Sequence, residues 1–140
     1  LPEAREAHAA LSEDMSGVGL LVVTSADHLM EGWHHARRHR RAGQATDISH
    51  VESLLSRLPS RAGLVTVLDG HPATLSWMAG VGRHRIQSLG VEDFGRSADI
   101  PDIHRVHEID AEAIIDAAAD FGRGTKWTDD ATVLVVKRHP

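Results

Sequence analysis

A chain of 140 residues with formal net charge -5, 41% hydrophobic and 25% charged residues, can bury the core of one ordinary soluble domain and is too balanced for wholesale disorder. No apolar run reaches the roughly 18 to 20 residues of a membrane span, the first residues L-P-E-A-R-E-A-H lack a signal-peptide pattern, and the negative charge argues against a dedicated nucleic-acid binder. The lack of cysteine excludes disulfides, thiolate metal ligands and a cysteine nucleophile, and fits a cytoplasmic setting.

The chain begins at Leu1 rather than Met, as a processed protein or a piece of a longer one would. Pro2 suits a first helical turn, and Ala4, Ala7, Ala10 and Leu11 recur at approximately helical spacing up to Ser16-Gly17. Val18 to Thr24 is a short, almost continuous apolar run, the pattern of a strand covered on both faces in a parallel sheet. Ser25 or Asp27 can cap the next helix, which carries Leu29, Met30, Trp33 and Ala36 on one stripe and ends at Gly43. A further helix follows from the spacing of Val51, Leu54, Leu55 and Leu58 and stops before Pro59.

Leu64 to Leu68 reads as a second buried strand, after which Asp69-Gly70-His71-Pro72 turns the chain into a short helix. Arg85 to Leu89 is a third strand, and Pro101 to Val106 and Ala111 to Ala119 are helices. Alternating strands and helices imply an α/β fold with a mostly parallel sheet and helices on both faces. Residues 1–121 form this domain; residues 122–140 are a tail whose Thr132 to Val136 segment is β-prone and is expected at a sheet edge.

Most candidate chemical motifs have a structural explanation. The basic run His34 to Arg41 spreads around a helix, and aromatic residues for base stacking are scarce, so no nucleic acid is expected there. His35 and His39 are four apart, and His104 and His107 three apart, but a metal site needs three or four converging ligands; chance clustering among 11 histidines explains the pairs, and no metal ligand is assigned. Ser76, Ser88 and Ser97 lack a nucleophile elbow, no Walker-type phosphate loop occurs, and Gly80-Val81-Gly82 lacks the third glycine of a dinucleotide fingerprint. Asp129-Asp130 before the T-V-L-V-V run has a brief likeness to metal-dependent protein phosphatases, with no companion motif.

The order and spacing of Val22-Val23-Thr24-Ser25-Ala26-Asp27-His28-Leu29, Leu64 to His71, Leu89-Gly90-Val91-Glu92-Asp93-Phe94-Gly95-Arg96-Ser97 and His107-Glu108-Ile109-Asp110-Ala111 resemble the C-terminal domain of the transketolase-like thiamine diphosphate-dependent enzymes. The likeness is closest to the homodimeric type of pyruvate dehydrogenase. The resemblance implies a three-layer α/β/α sandwich that is non-catalytic and supports dimerisation. In such enzymes thiamine diphosphate and magnesium sit between the other two domains, so this chain alone is expected to bind neither and to be inactive. The parent would be an oxidoreductase or transferase acting on a 2-oxoacid, with the remaining domains and a lipoyl-bearing acetyltransferase component as partners. The family domain carries strand-forming sequence ahead of the first helix that has no counterpart before Leu1.

A different reading makes the chain a free-standing regulatory module. Asp69, Gly70, His71, Phe94, Gly95, Arg96 and Ser97 lie beyond strand ends, where α/β folds bind ligands, and Arg96 with neighbouring backbone N–H groups would hold a small anion or nucleotide. The structural alternative has Asp69-Gly70-His71 as a turn with a helix cap, Gly95 permitting a turn and Ser97 capping the next helix.

Overall fold

A computed structural model describes residues 1–44, 47–60, 62–93, 95, 98–121 and 131–136, the last of these as backbone only. The elements run α1 (Pro2–Asp14), β1 (Gly19–Val23), α2 (Ala26–Arg41), α3 (His50–Leu55), β2 (Gly63–Leu68), α4 (Ala73–Ser76), α5 (Ala79–Gly82), β3 (Arg85–Leu89), α6 (Ile100–Val106), α7 (Ala111–Asp120) and β4 (Ala131–Val136). The fold is mixed α/β. Among the described residues no helix is long and apolar enough to cross a membrane.

The described strands form one parallel sheet in the order β1-β4-β2-β3. The β2 strand is its centre of gravity: all six residues are buried, and its period-2 alternation divides the core. Val65 and Val67 point into a cluster with Ala4, Ala7 and Leu11 of α1 and Ile114, Ala117 and Ala118 of α7. Leu64 and Leu68 point the other way, to Trp33 of α2, Val51 and Leu55 of α3, and Leu75 of α4. Helices thus cover both faces. Fully burying each of the Val, Leu and Ile side chains among these contributes about 1.5–3 kcal/mol. The one hydroxyl on β2, Thr66, is fully buried and donates to Ser88 Oγ on β3 at 3.0 Å, so it carries no desolvation penalty into the core.

The helix boundaries follow local chemistry. Pro2 supplies the preset φ of a first turn, and Gly17, at φ 91°, takes the chain out of α1 toward β1. Gly43, at φ 85°, ends α2. Ser25 stands at the α2 N-cap without a side-chain cap bond, so the expected cap is positional only. In contrast, Ser49 and Glu52 form a complete capping box at α3, and Asp110 accepts from Ala113 N at the start of α7. The end of α6 is a Schellman turn, with Ile109 N donating to His104 O and Glu108 N to Arg105 O. Its left-handed position is Glu108 at φ 54°, where glycine is the usual residue.

The tail strand corrects the expectation from sequence. β4 is not at an edge: it lies between β1 and β2, with Leu20 opposite Val133 on one side and Leu64 opposite Thr132 on the other. Its run of consecutive β-branched and aliphatic residues fits a strand covered on both faces, as β2 is, but such a run does not fix the position: β1 carries the same kind of run and lies at an edge, with Val22 exposed and only Val23 buried. Among the described strands the outer ones are β1 and β3.

Candidate functional site

Among the described residues, two places gather side chains with chemical potential. The first lies at the carboxyl ends of β2 and β3, where the sequence points to ligand-binding loops. The chain leaves β2 through Asp69, Gly70 and His71, and leaves β3 through Gly90. The two exits are joined directly, because Val91 N donates to Gly70 O at 2.8 Å. A Cβ on Gly90 would press into the Gly70 carbonyl oxygen and lie 2.9 Å from Pro72 N, so the absence of a side chain there is what lets the loops meet. His71 Nδ1 accepts from Ala73 N at 3.2 Å, which makes His71 a cap for the short helix after it.

Beside this junction is an open cleft of about 260 Å³ lined by Pro72, Ser88, Leu89, Gly90, Glu92, Asp93, Val106, His107 and Glu108. Asp69 and His71 are exposed but do not line it; Gly70 contributes through its bond to Val91. Gly95 is exposed with φ 101°, the conformation that favours glycine in a turn. Phe94, Arg96 and Ser97 lie outside the described residues, as do Asp129 and Asp130. The described lining holds the carboxylates Glu92, Asp93 and Glu108 and neither Lys nor Arg, a field that opposes a phosphate or other small anion.

The second place is the C-terminal half of α2 and the segment that returns from it. The rings of His35 and His39 meet with centroids 3.9 Å apart and planes tilted by 48°, a contact that their i, i+4 spacing allows. Asp47 comes back to them: its Oδ2 is 2.6 Å from His39 Nδ1. The segment is held by Arg40, which donates to the Asp47 carbonyl and, through both terminal nitrogens, to Glu52 at 2.6 and 3.2 Å. Glu52 also accepts from Ser49 N at 2.8 Å and Ser49 Oγ at 2.7 Å. Burial by itself would raise the Glu52 carboxyl, but the hydrogen bonds from Arg40 and Ser49 together with the Arg40 charge outweigh it and hold the group below its ordinary value.

Comparison with protein-family models, curated proteins and solved structures finds no match.

His35 and His39 were visible in the sequence as a helical pair, whereas Asp47 carried no signal because its approach depends on the turn at Gly43 and the cap at Ser49. The box itself is legible as S-H-V-E. The other histidine pair does not converge: His104 Nδ1 bonds Glu3 Oε1 at 2.8 Å and ties α6 to α1, whereas His107 faces the strand-end cleft. Burial would raise the Glu3 carboxyl as well; its own backbone N–H, His104 and the N-terminal charge more than offset this and lower it.

Proposed function

We propose that this chain is a non-catalytic α/β domain of a thiamine diphosphate-dependent 2-oxoacid dehydrogenase, of the kind that forms the C-terminal, dimer-supporting part of transketolase-like enzymes. The observation that carries the reading is the place of the resembling segments. Leu64 to His71 is the central strand and its exit, Leu89 to Val91 is the exit that hydrogen-bonds to it, and His107 to Ala111 is the Schellman turn and N-cap between α6 and α7. Val22 to Leu29 joins the end of β1 to α2. These segments are used in backbone bonds, caps and close packing, as a scaffold signature would be.

The topology also supports the finer reading, a three-layer α/β/α sandwich of the transketolase C-terminal type. A right-handed crossover from a strand ahead of α1 into β1 would put that strand beside β1 on its inner side, which is the position held by β4. In this reading β4 holds the sheet position that the family fills with the strand ahead of its first helix. The three carboxylates of the strand-end cleft do not suit a diphosphate, so no step of the parent reaction is assigned to residues of this chain. Val22, Ile48, Ile100 and Val106 are large apolar side chains left exposed, which suits a domain that meets others.

The test combines assembly with activity on the purified chain. Sedimentation equilibrium should show a dimer at micromolar concentration, and calorimetry with thiamine diphosphate and magnesium, and a pyruvate decarboxylation assay, should show neither binding nor turnover. Turnover, cofactor binding or a strictly monomeric chain would each count against the proposal.

A further inference from the structure

We infer that His35, His39 and Asp47 form a binding site for a divalent transition-metal ion of the zinc class. Three side chains each offer one donor atom, and all three atoms lie within 4.8 Å of one another. Zinc takes imidazole nitrogen and carboxylate oxygen at about 2.0–2.2 Å, so its ligand atoms stand about 3.3 Å apart in a tetrahedron. The His39–Asp47 separation of 2.6 Å is a hydrogen bond that an entering ion would replace, and its donors need to move by less than the length of one bond. Two imidazoles and one carboxylate complete three corners, with water for the fourth, a donor set that suits zinc, cobalt(II) or nickel(II) better than calcium or magnesium.

Four features of the surroundings favour a cation despite the basic sequence. The site lies on the last two turns of α2, the end of the helix at which exposed carbonyls carry partial negative charge. Arg40 is engaged by Glu52 and the Asp47 carbonyl, and Arg37 lies over the Trp33 ring, 4.6 Å from its centroid. At about 100° per residue, Arg41 projects away from the His35–His39 face, and Arg38, three residues after His35, flanks that face rather than sitting between the two imidazoles. Finally, Asp47 is positioned before any ion arrives, because Arg40 grips its carbonyl and the Ser49–Glu52 box fixes the chain two residues later. An accidental surface pair of histidines has no such support.

Zinc titration of the full chain, followed by calorimetry and by competition with a chromophoric chelator, tests the assignment. One ion per chain should bind with a dissociation constant on the order of micromolar, cobalt(II) should add visible d–d bands, and zinc should raise the melting temperature. The double variant His35→Ala/His39→Ala should lose at least about tenfold in affinity and Asp47→Asn severalfold, whereas His107→Ala should bind as the parent does. His35→Ala alone, at an exposed position, should weaken zinc with an unchanged circular dichroism spectrum, which separates ligand loss from misfolding. Uptake that does not saturate near one equivalent, or affinity indifferent to the double substitution, would overturn the site.

Discussion

Replacing Gly90 with alanine tests whether the junction of the two strand exits is built on close backbone approach. The added methyl would meet backbone on two sides, the Gly70 carbonyl oxygen and Pro72 N, with Pro72 Cδ at 3.0 Å. Neither backbone atom can rotate away as a side chain would, so the loops must separate. Overpacking of this kind costs about 1–3 kcal/mol, and separation also weakens the Val91–Gly70 hydrogen bond, worth about 0.5–1.5 kcal/mol. A total of about 2–4 kcal/mol follows. For 140 residues the unfolding entropy near the midpoint is about 0.3 kcal/mol/K, so the melting temperature should fall by about 7–13 °C. The internal control is Gly32→Ala, in the middle of α2, where a Cβ meets nothing within 4 Å. There the helix propensity of alanine should add about 0.8–1 kcal/mol and raise the midpoint by about 3 °C. Differential scanning calorimetry of both variants decides the matter: the reasoning fails if Gly90→Ala melts within two or three degrees of the parent, or if the two substitutions move the midpoint the same way.

Glu108→Gly removes a left-handed residue from the Schellman turn of α6 and should stabilise the chain by about 1 kcal/mol in urea unfolding; a loss of stability would show that the Glu108 carboxylate contributes more than its backbone costs. Glu52→Gln should cost about 1–2 kcal/mol at neutral pH through the Arg40 pair, since glutamine can still close the α3 capping box. Because the folded Glu52 carboxyl titrates below its unfolded value of about 4.5, its contribution is fully present above that pH and is lost as pH falls through the lower, folded value. The gap between parent and Glu52→Gln midpoints should therefore close in acid, and a gap independent of pH would refute the assigned pairing. Leu134→Pro, in the interior strand β4, removes a ladder donor and should abolish cooperative unfolding by circular dichroism; a folded variant with a near-parental midpoint would return that strand to an edge.

The sequence by itself determined the local elements. Ala4, Ala7 and Leu11 repeat at helical spacing and are buried together; Leu64 to Leu68 is apolar apart from Thr66 and is buried on both faces; Gly17 and Gly43 stand where helices end, with the positive φ that other residues avoid. These outcomes depend on interactions a few residues long, so they are written in short stretches of chain. Parallel pairing also followed from the alternation of strand and helix. What tertiary structure alone decided was which distant stretches meet. A buried strand pattern reads the same wherever in the sheet the strand lies, so nothing in T-V-L-V-V distinguished the gap between β1 and β2 from an edge. Gly90 follows β3 directly in sequence, yet its close neighbours are Gly70 and Pro72 of the preceding strand exit. His39 was legible as half of a helical pair, but its bond to Asp47 needs the turn at Gly43, the Arg40 grip and the Ser49 cap to act together. Convergence of side chains is a property of the whole packed chain, and for this reason the sequence named His35 and His39 but left out the carboxylate that turns a pair into a site.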